Sequence, residues 1–241
     1  MFVEHKFYVG LSDINPLKEL NNTCLLRYLE DTAGIHSEIA GYGITDMNKT
    51  RKTWILLSWK VKINKRPLIN DTISVKTWSR SIDKFYAYRD FEVKNQYNEI
   101  IAIITSKWVF IDIDKRKLIK VSEDVAKRYE TETETAVFEE KDLEKLSEPK
   151  EYSSSILFKI TRNMIDLNKH LHNIYYLDIA KEALPEEIAF GNELNNFEIM
   201  YKKEIKLGET VKALYSFENG YHYVTIKSED ESTIHSIIRL K

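Results

Sequence analysis

The stretch TCLLRYLEDTAGIHSEIAGYG, residues 23–43, decides how the rest of the chain is read. Leu25, Leu26, Leu29, Ala33 and Ala40 keep helical spacing, Thr23 stands where an N-cap belongs, and glycines at 41 and 43 end the pattern. The segments around it have another period. Residues 2–10 read as an opening strand, and 54–63, 71–78, 85–93 and 100–113 are rich in aromatic and β-branched residues. Within 71–78, Ile73, Val75 and Thr77 fall on one face and Thr72, Ser74 and Lys76 on the other. One long helix followed by such strands predicts an antiparallel sheet wrapped around the helix.

The pattern then returns. A short strand at 155–160 leads through a polar loop into a helix over about 173–184, with Ile174, Leu177, Ala180 and Leu184 on its buried side, followed by strands near 196–206, 210–217, 220–227 and 233–239. Asn70-Asp71-Thr72-Ile73 has a counterpart in Gly208-Glu209-Thr210-Val211, and Tyr86-x-Tyr88 in Tyr221-x-Tyr223. Their common order after a helix predicts a duplicated unit of about 100 residues, two units pairing edge to edge so that edge strands are protected. Between them, residues 121–150 carry ten Asp/Glu against five Lys/Arg, and YETETETAVFEEKDLEK reads as a solvated, partly helical linker. The organisation is therefore an N-terminal unit over 1–120, an acidic linker over 121–150 and a C-terminal unit over 151–241.

Composition excludes several classes. In 241 residues, 43% hydrophobic and 31% charged residues suffice for a sizeable core in a soluble protein. A net charge of -2 argues against a general nucleic-acid binder. One cysteine, Cys24, rules out an internal disulfide framework and a cysteine-based zinc cluster. No apolar run approaches the roughly 20 residues of a membrane span. The N-terminal MFVEHKFYVG has neither signal-peptide nor transit-peptide character, so a cytoplasmic location is expected.

The densest polar cluster is Asp166-Leu167-Asn168-Lys169-His170-Leu171-His172-Asn173, just before the second helix. If extended, it places Asp166, Asn168, His170 and His172 on one side, beside helix N-terminal N–H groups able to stabilise an oxyanion. Two plainer readings stand beside this one. Asn and Asp cap helices and turn chains, and His170-x-His172 offers two metal ligands without an evident third or fourth.

These residues, Asp166-x-Asn168-x-His170-Leu-His-Asn173-x-x-Tyr176, resemble the acyl-acyl carrier protein thioesterase family, the fatty acyl thioesterases of plants and bacteria. Tyr201-Lys202-Lys203-Glu204 resembles the family's Tyr-basic-basic-Glu segment. Arg66-Pro67, Asp71, Val75-x-Thr77-Trp78, and Ala102-x-x-x-Ser106-x-Trp108-Val109 with Asp114 and Arg116 resemble its first half. The resemblance implies an α+β fold, a tandem hotdog, whose N-terminal hotdog shapes the acyl pocket and whose C-terminal hotdog is catalytic. It implies a catalytic set of Asp166, Asn168, His170 and Glu204, no cofactor or metal, and acyl carrier protein as partner to a monomer or homodimer. The first helix lacks a matching D-x-N-x-H, as one site per chain requires. Where some plant members have a cysteine after the glutamate, this chain has Ile205, and Cys24 lies at the other helix. The nucleophile is then water, or Glu204 itself.

On this reading Glu204 acts as general base with His170 assisting, Asn168 and helix-start N–H groups hold water or the oxyanion, and Asp166 orients Asn168. Left as a surface carboxylate, Glu204 would pair with Lys202 or Lys203. Trp54, Trp59, Trp78 and Trp108 are candidates for lining an acyl channel or for core packing. A basic rim for an acidic carrier is offered by Lys60, Lys62, Lys65 and Arg66, by Arg51-Lys52, and by Lys202-Lys203. A coenzyme A thioesterase and a catalytically silent acyl-binding module remain alternatives.

Overall fold

The computed structural model describes residues 1–191 and 193–241. They form two compact units, Met1–Leu20 with Leu25–Leu143, and Asn21–Cys24 with Glu144–Lys241.

In the first unit, strands β1 (Phe2–Tyr8), β2 (Lys52–Ile63), β3 (Thr72–Asp83), β4 (Tyr86–Lys94) and β5 (Ile100–Asp112) make an antiparallel sheet in the order β1-β3-β4-β5-β2. A two-residue strand, β6 (Lys117–Leu118), closes onto the end of β5. Helix α1 (Asn22–Ile39) is the expected long helix, and Leu25, Leu26, Leu29 and Ala33 on it are buried. Its start is two residues earlier than the sequence suggests. Asn21, not Thr23, is the cap, its Oδ1 accepting the Cys24 N–H at 2.7 Å. A single turn, α2 (Met47–Thr50), follows it. The helix faces the side of the sheet that carries Ile73, Val75 and Thr77: Phe7 stacks on Tyr28 at 4.2 Å, and Arg89 reaches His36 at 2.7 Å. Trp59 and Trp78 are fully buried in this unit, as core packing requires.

The acidic stretch after β6 is not a solvated linker. It begins with α3 (Glu123–Tyr129), capped by Ser122, whose Val125 and Tyr129 are buried. Beyond it the chain crosses the face of the sheet opposite α1. Trp78 Nε1 donates to the Thr135 carbonyl at 2.8 Å, and Arg80 donates to the Glu140 and Lys141 carbonyls at 3.1 and 2.8 Å. The Val137 N–H donates to the buried Asp90 carboxylate at 3.1 Å. Lys60 and Lys107 pair with Glu140 and Asp142 at 2.9 and 2.7 Å. The cause is plain: a sheet face bearing buried Arg80 and Asp90 needs partners, and the acidic segment supplies both carbonyls and carboxylates.

The second unit repeats the plan. Strands β7 (Ser154–Lys159), β8 (Asn196–Tyr201), β9 (Thr210–Glu218), β10 (Tyr221–Ser228) and β11 (Ile234–Leu240) order as β8-β11-β10-β9-β7, all antiparallel. Helix α4 (Tyr175–Ala183) packs on β7, β9, β10 and β11, and the turn α5 (Glu186–Ala189) follows. Its buried side is Tyr176, Leu177, Ile179, Ala180 and Ala183, while Leu184 lies past the helix end. Strand β8 stops at Tyr201, so Glu204 lies in a loop rather than on the strand expected to reach 206. Each unit is thus a helix held against a curved antiparallel sheet, the hotdog plan, and the fold class is α+β.

One of the two letter matches marks the repeat. Asn70 and Gly208 both have positive φ, 72° and 82°, and Asp71 and Glu209 each accept an N–H from three residues back, at 2.8 and 2.9 Å. Counted from this turn, Trp78 corresponds to Ser216. Trp78 pairs with Asp90 and Ser216 with Tyr223, so Tyr221 corresponds to Tyr88 and the Tyr-x-Tyr match is two residues out of register. No described helix is long and apolar enough to cross a membrane.

Candidate active site

Asp166 builds the site by closing a tight turn. Its Oδ1 accepts the Asn168 and His170 N–H groups at 2.9 and 3.0 Å, its own N–H donates to the His170 carbonyl at 2.8 Å, and Lys169 takes a φ of 65°. The segment is therefore curled, not extended, and bonded ring closure rather than strand alternation brings its polar side chains together. Asp166 Oδ2 lies 3.4 Å from Asn168 Nδ2, placing the amide under the carboxylate's control. Leu171 donates to the Ile205 carbonyl at 2.8 Å, and this rung carries Glu204 to the turn. His170 Nε2 and Glu204 Oε1 stand 3.5 Å apart, with 30% and 57% of the two side chains exposed. Among the described residues, the ion-pair partner of Glu204 is thus His170 rather than Lys202 or Lys203.

Several N–H groups at the helix start are already used. Tyr175, Tyr176 and Leu177 N–H groups each donate to a carbonyl three residues back, at 3.0, 3.4 and 3.2 Å, while those of Asn168 and His170 serve Asp166. The Asn168 amide and the His170 imidazole are side-chain polar groups presented at this turn. His172 stands apart from the set, its ring edge-on to Tyr175 at 6.1 Å and its N–H donating to the Met164 carbonyl. The Tyr176 phenol is held well above its ordinary pKa, first by burial and then by the charges of Glu204, Asp166 and Glu209. It stays a neutral hydroxyl beside the carboxylates. Among the described residues, no group of three or more His, Cys, Asp and Glu side chains could hold a metal ion.

The first unit contains the same turn, which the search for D-x-N-x-H passes over. Asn15 Oδ1 accepts the Leu17 and Glu19 N–H groups at 2.9 and 3.0 Å, and Lys18 has a φ of 64°. Bridges Ile14–Leu20 and Ile165–Leu171 close the two turns alike, and Leu20 donates to the Pro67 carbonyl at 2.9 Å as Leu171 does to Ile205. Asn15, Leu17, Glu19 and Arg66 therefore occupy the positions of Asp166, Asn168, His170 and Glu204. The letters carry the signal: INPLKELNN at 14–22 against IDLNKHLHN at 165–173. The turn is common to both units, and the Asp166, Asn168, His170 and Glu204 set stands in one.

The expected basic rim divides. Arg51 pairs with Asp114, Lys60 with Glu140, and Lys65 approaches Glu99 at 3.9 Å, while Arg66 donates to the Leu20 carbonyl at 2.8 Å. Lys169, Lys202, Lys203 and Lys206 are exposed around the His170–Glu204 pair.

Similarity to known proteins identifies the family of the chain. A family model described as the acyl-ACP thioesterase N-terminal domain matches residues 2–129, and one described as the acyl-ACP thioesterase C-terminal domain matches residues 147–240. The chloroplastic oleoyl-acyl carrier protein thioesterase of Coriandrum sativum is 28% identical over 232 residues, covering 89% of this chain and 62% of that protein. The chloroplastic oleoyl-acyl carrier protein thioesterase 1 of Arabidopsis thaliana is 28% identical over 227 residues, covering 88% and 62%. The chain thus spans less than two thirds of the length of these relatives. Among solved structures, an acyl-ACP thioesterase from Bacteroides thetaiotaomicron superposes with a TM-score of 0.86 at 20% identity, covering 99% of this chain and 96% of that one. The 12:0-ACP thioesterase from Umbellularia californica gives 0.85 at 18% identity, covering 100% and 96%. At such identities the structures establish the shared fold.

Proposed function

Because the chain belongs to the acyl-ACP thioesterase family, we propose that it hydrolyses the thioester of a fatty acyl chain on acyl carrier protein, releasing the fatty acid and the carrier thiol. The observation that carries this reading is the meeting of Glu204 and His170 at 3.5 Å over a turn that also presents Asn168. A thioester carbonyl is already electrophilic. What is asked of the protein is to position water, take its proton and stabilise the oxyanion.

Glu204 is the general base. Its carboxylate is exposed enough to meet water and substrate, and His170 beside it holds the water or shares the proton. Attack of the water oxygen on the carbonyl carbon sends a proton to Glu204 and charge onto the carbonyl oxygen, where the Asn168 Nδ2–H donates. Collapse breaks the C–S bond, and the carrier thiolate takes the proton back. Asp166 does not touch the reacting atoms in this scheme, and it fixes the amide of Asn168. With Ile205 after the glutamate and Cys24 buried in α1, no thiol takes part.

The exposed Lys169, Lys202, Lys203 and Lys206 favour an acidic carrier over a neutral thioester. A cytoplasmic location completes the proposal and accords with a single cysteine, Cys24, which allows no internal disulfide, although the plant relatives named above are chloroplastic. The test is hydrolysis of matched acyl-carrier and acyl-coenzyme A thioesters, from four to eighteen acyl carbons, with Glu204→Gln alongside. Carrier-dependent turnover that falls by about two orders of magnitude or more in the variant is expected. Equal turnover of the coenzyme A series would move the function to the coenzyme A thioesters, and full activity in the variant would remove Glu204 from the mechanism.

A further inference from the structure

The loop that presents Glu204 is held by three side chains from three elements. His235, on β11 and 5% exposed, directs Nδ1 at the Lys203 carbonyl oxygen, 3.1 Å away. A carbonyl only accepts, so this ring nitrogen carries the proton and donates. The Tyr176 hydroxyl, from the first turn of α4, donates to the same oxygen at 3.5 Å. The Tyr201 hydroxyl donates to the Asn173 carbonyl at 3.0 Å, and its ring meets that of Tyr176 edge-on at 5.1 Å. The Lys203 carbonyl lies in the peptide plane that leads into Glu204. Fixing that oxygen fixes the direction in which the glutamate leaves the backbone.

The internal repeat provides a control. In the first unit the N–H groups of Asn64 and Lys65 donate to the Ile101 carbonyl at 2.8 and 3.1 Å. In the second, those of Lys202 and Lys203 donate to the His235 carbonyl at 2.8 and 3.3 Å. Ile101 therefore occupies the place of His235. By the same count, Ile63 at the end of β2 corresponds to Tyr201 at the end of β8. Leu25, five residues past Leu20, corresponds to Tyr176, five past Leu171. All three counterparts are buried and aliphatic. The backbone thus closes the same way without polar groups, and burying polar side chains carries a desolvation cost that aliphatic ones avoid. Where Arg66 and Glu19 stand at the site positions the surroundings are aliphatic, and where Glu204 and His170 stand they are polar.

We propose that His235, together with Tyr176 and Tyr201, is a positioning residue that holds the Lys203–Glu204 peptide so that the carboxylate stays within reach of His170. This rests on the reading of Glu204 as the base.

The experiment compares wild type, His235→Ile, His235→Asn, Glu204→Gln and the His235→Ile/Glu204→Gln double variant. The isoleucine is the repeat's own residue, so Tm should stay within a few degrees of wild type. Turnover should fall about tenfold or more, the weight of one buried hydrogen bond, with KM changed less than about twofold. His235→Asn, whose amide N–H comes near the place of Nδ1, should recover most of the loss. The double variant should be no slower than Glu204→Gln alone. Hydrogen exchange over 202–206 should quicken in His235→Ile and return with asparagine, whatever the activity. If Glu204→Gln collapses while His235→Ile keeps wild-type turnover, the positioning role is overturned. Equal loss in the isoleucine and asparagine variants with a fallen Tm also overturns it, in favour of a purely structural histidine. Should Glu204→Gln prove fully active, the functional reading fails instead, and unchanged exchange over 202–206 then overturns the positioning role.

Discussion

Asp166→Asn separates closing the turn from orienting the amide, because the protein already contains the substituted turn. Asn15 makes the same two bonds to backbone N–H groups, at the same 2.9 and 3.0 Å, with a neutral amide oxygen. Those two donors force the carbonyl oxygen of an asparagine at 166 into the Oδ1 place. Its NH2 must then replace Oδ2, facing Asn168 Nδ2 across 3.4 Å, donor against donor. Hydrogen bonds to a charged acceptor contribute about 1.5–3 kcal/mol and neutral ones about 0.5–1.5. Matched end to end these ranges differ by about 1–1.5 kcal/mol per bond, so two bonds lose about 2–3 kcal/mol at most, and about 1 in a turn that is partly open to water. Activity should suffer more, since Asn168 loses the acceptor that aims it: about ten- to a hundredfold in kcat, with KM little changed. Urea unfolding and steady-state hydrolysis of an acyl-carrier thioester measure both, with Asp166→Ala, which removes both turn bonds, as the reference. Wild-type kcat in Asp166→Asn would show that the carboxylate only closes the turn. A stability loss equal to that of Asp166→Ala would show that Asn15 is no precedent for it.

Two further outcomes follow from the charges. Reversing Lys202 and Lys203 to glutamate should raise KM for the carrier substrate and flatten its salt dependence, leaving kcat nearly intact; unchanged salt dependence would discard that patch. His36 is buried with Nδ1 accepting from Arg89 at 2.7 Å, and burial followed by the Arg89 charge pulls its pKa down to about 3. Between pH 6.5 and about 3 the unfolded chain therefore binds a proton that the folded chain refuses, so stability is full above 6.5 and falls through this window on acidification. His36→Asn keeps an oxygen acceptor for Arg89 and does not titrate, so its urea midpoint should fall less steeply over the same range. Parallel pH profiles would place the acid sensitivity elsewhere.

What was legible in the sequence followed from local rules, and what was missed depended on non-local partners. Apolar spacing located α1, and alternation located the first half of β3, where Ile73, Val75 and Thr77 are buried and Thr72, Ser74 and Lys76 are not. The Asn70 and Gly208 turns were readable for a similar reason, since a positive φ and an acidic residue beside it form a closed local device. The acidic stretch after β6 was misread because its partners, Arg80, Asp90, Lys60 and Lys107, lie far away in sequence. Charge composition alone cannot distinguish a solvated run from one neutralised by a distant strand. The polar cluster at 166–173 was legible from its composition, and Glu204 only through resemblance. The turn is written in letters as ordinary as INPLKEL, and what distinguishes the second copy is who faces Glu204.

That difference between the copies gives the site its physical meaning. A turn closed by Asn15 or Asp166, bridged to the chain before β3 or β9, stands in both units and needs only backbone donors and one side-chain oxygen. In the first unit the position matching Glu204 holds Arg66, whose guanidinium donates to the Leu20 carbonyl, the backbone of the turn itself. The cation there serves the turn. In the second unit the corresponding side chain is an acceptor, so it cannot serve a carbonyl and is directed to His170 instead. The loop carrying it then lacks the anchor that Arg66 supplies, and Tyr176, Tyr201 and His235 provide other ones. The exchange of a donor for an acceptor at one position thus explains why a carboxylate facing His170 and a polar grip on its loop occur together, and why neither appears in the copy whose turn is fastened by arginine.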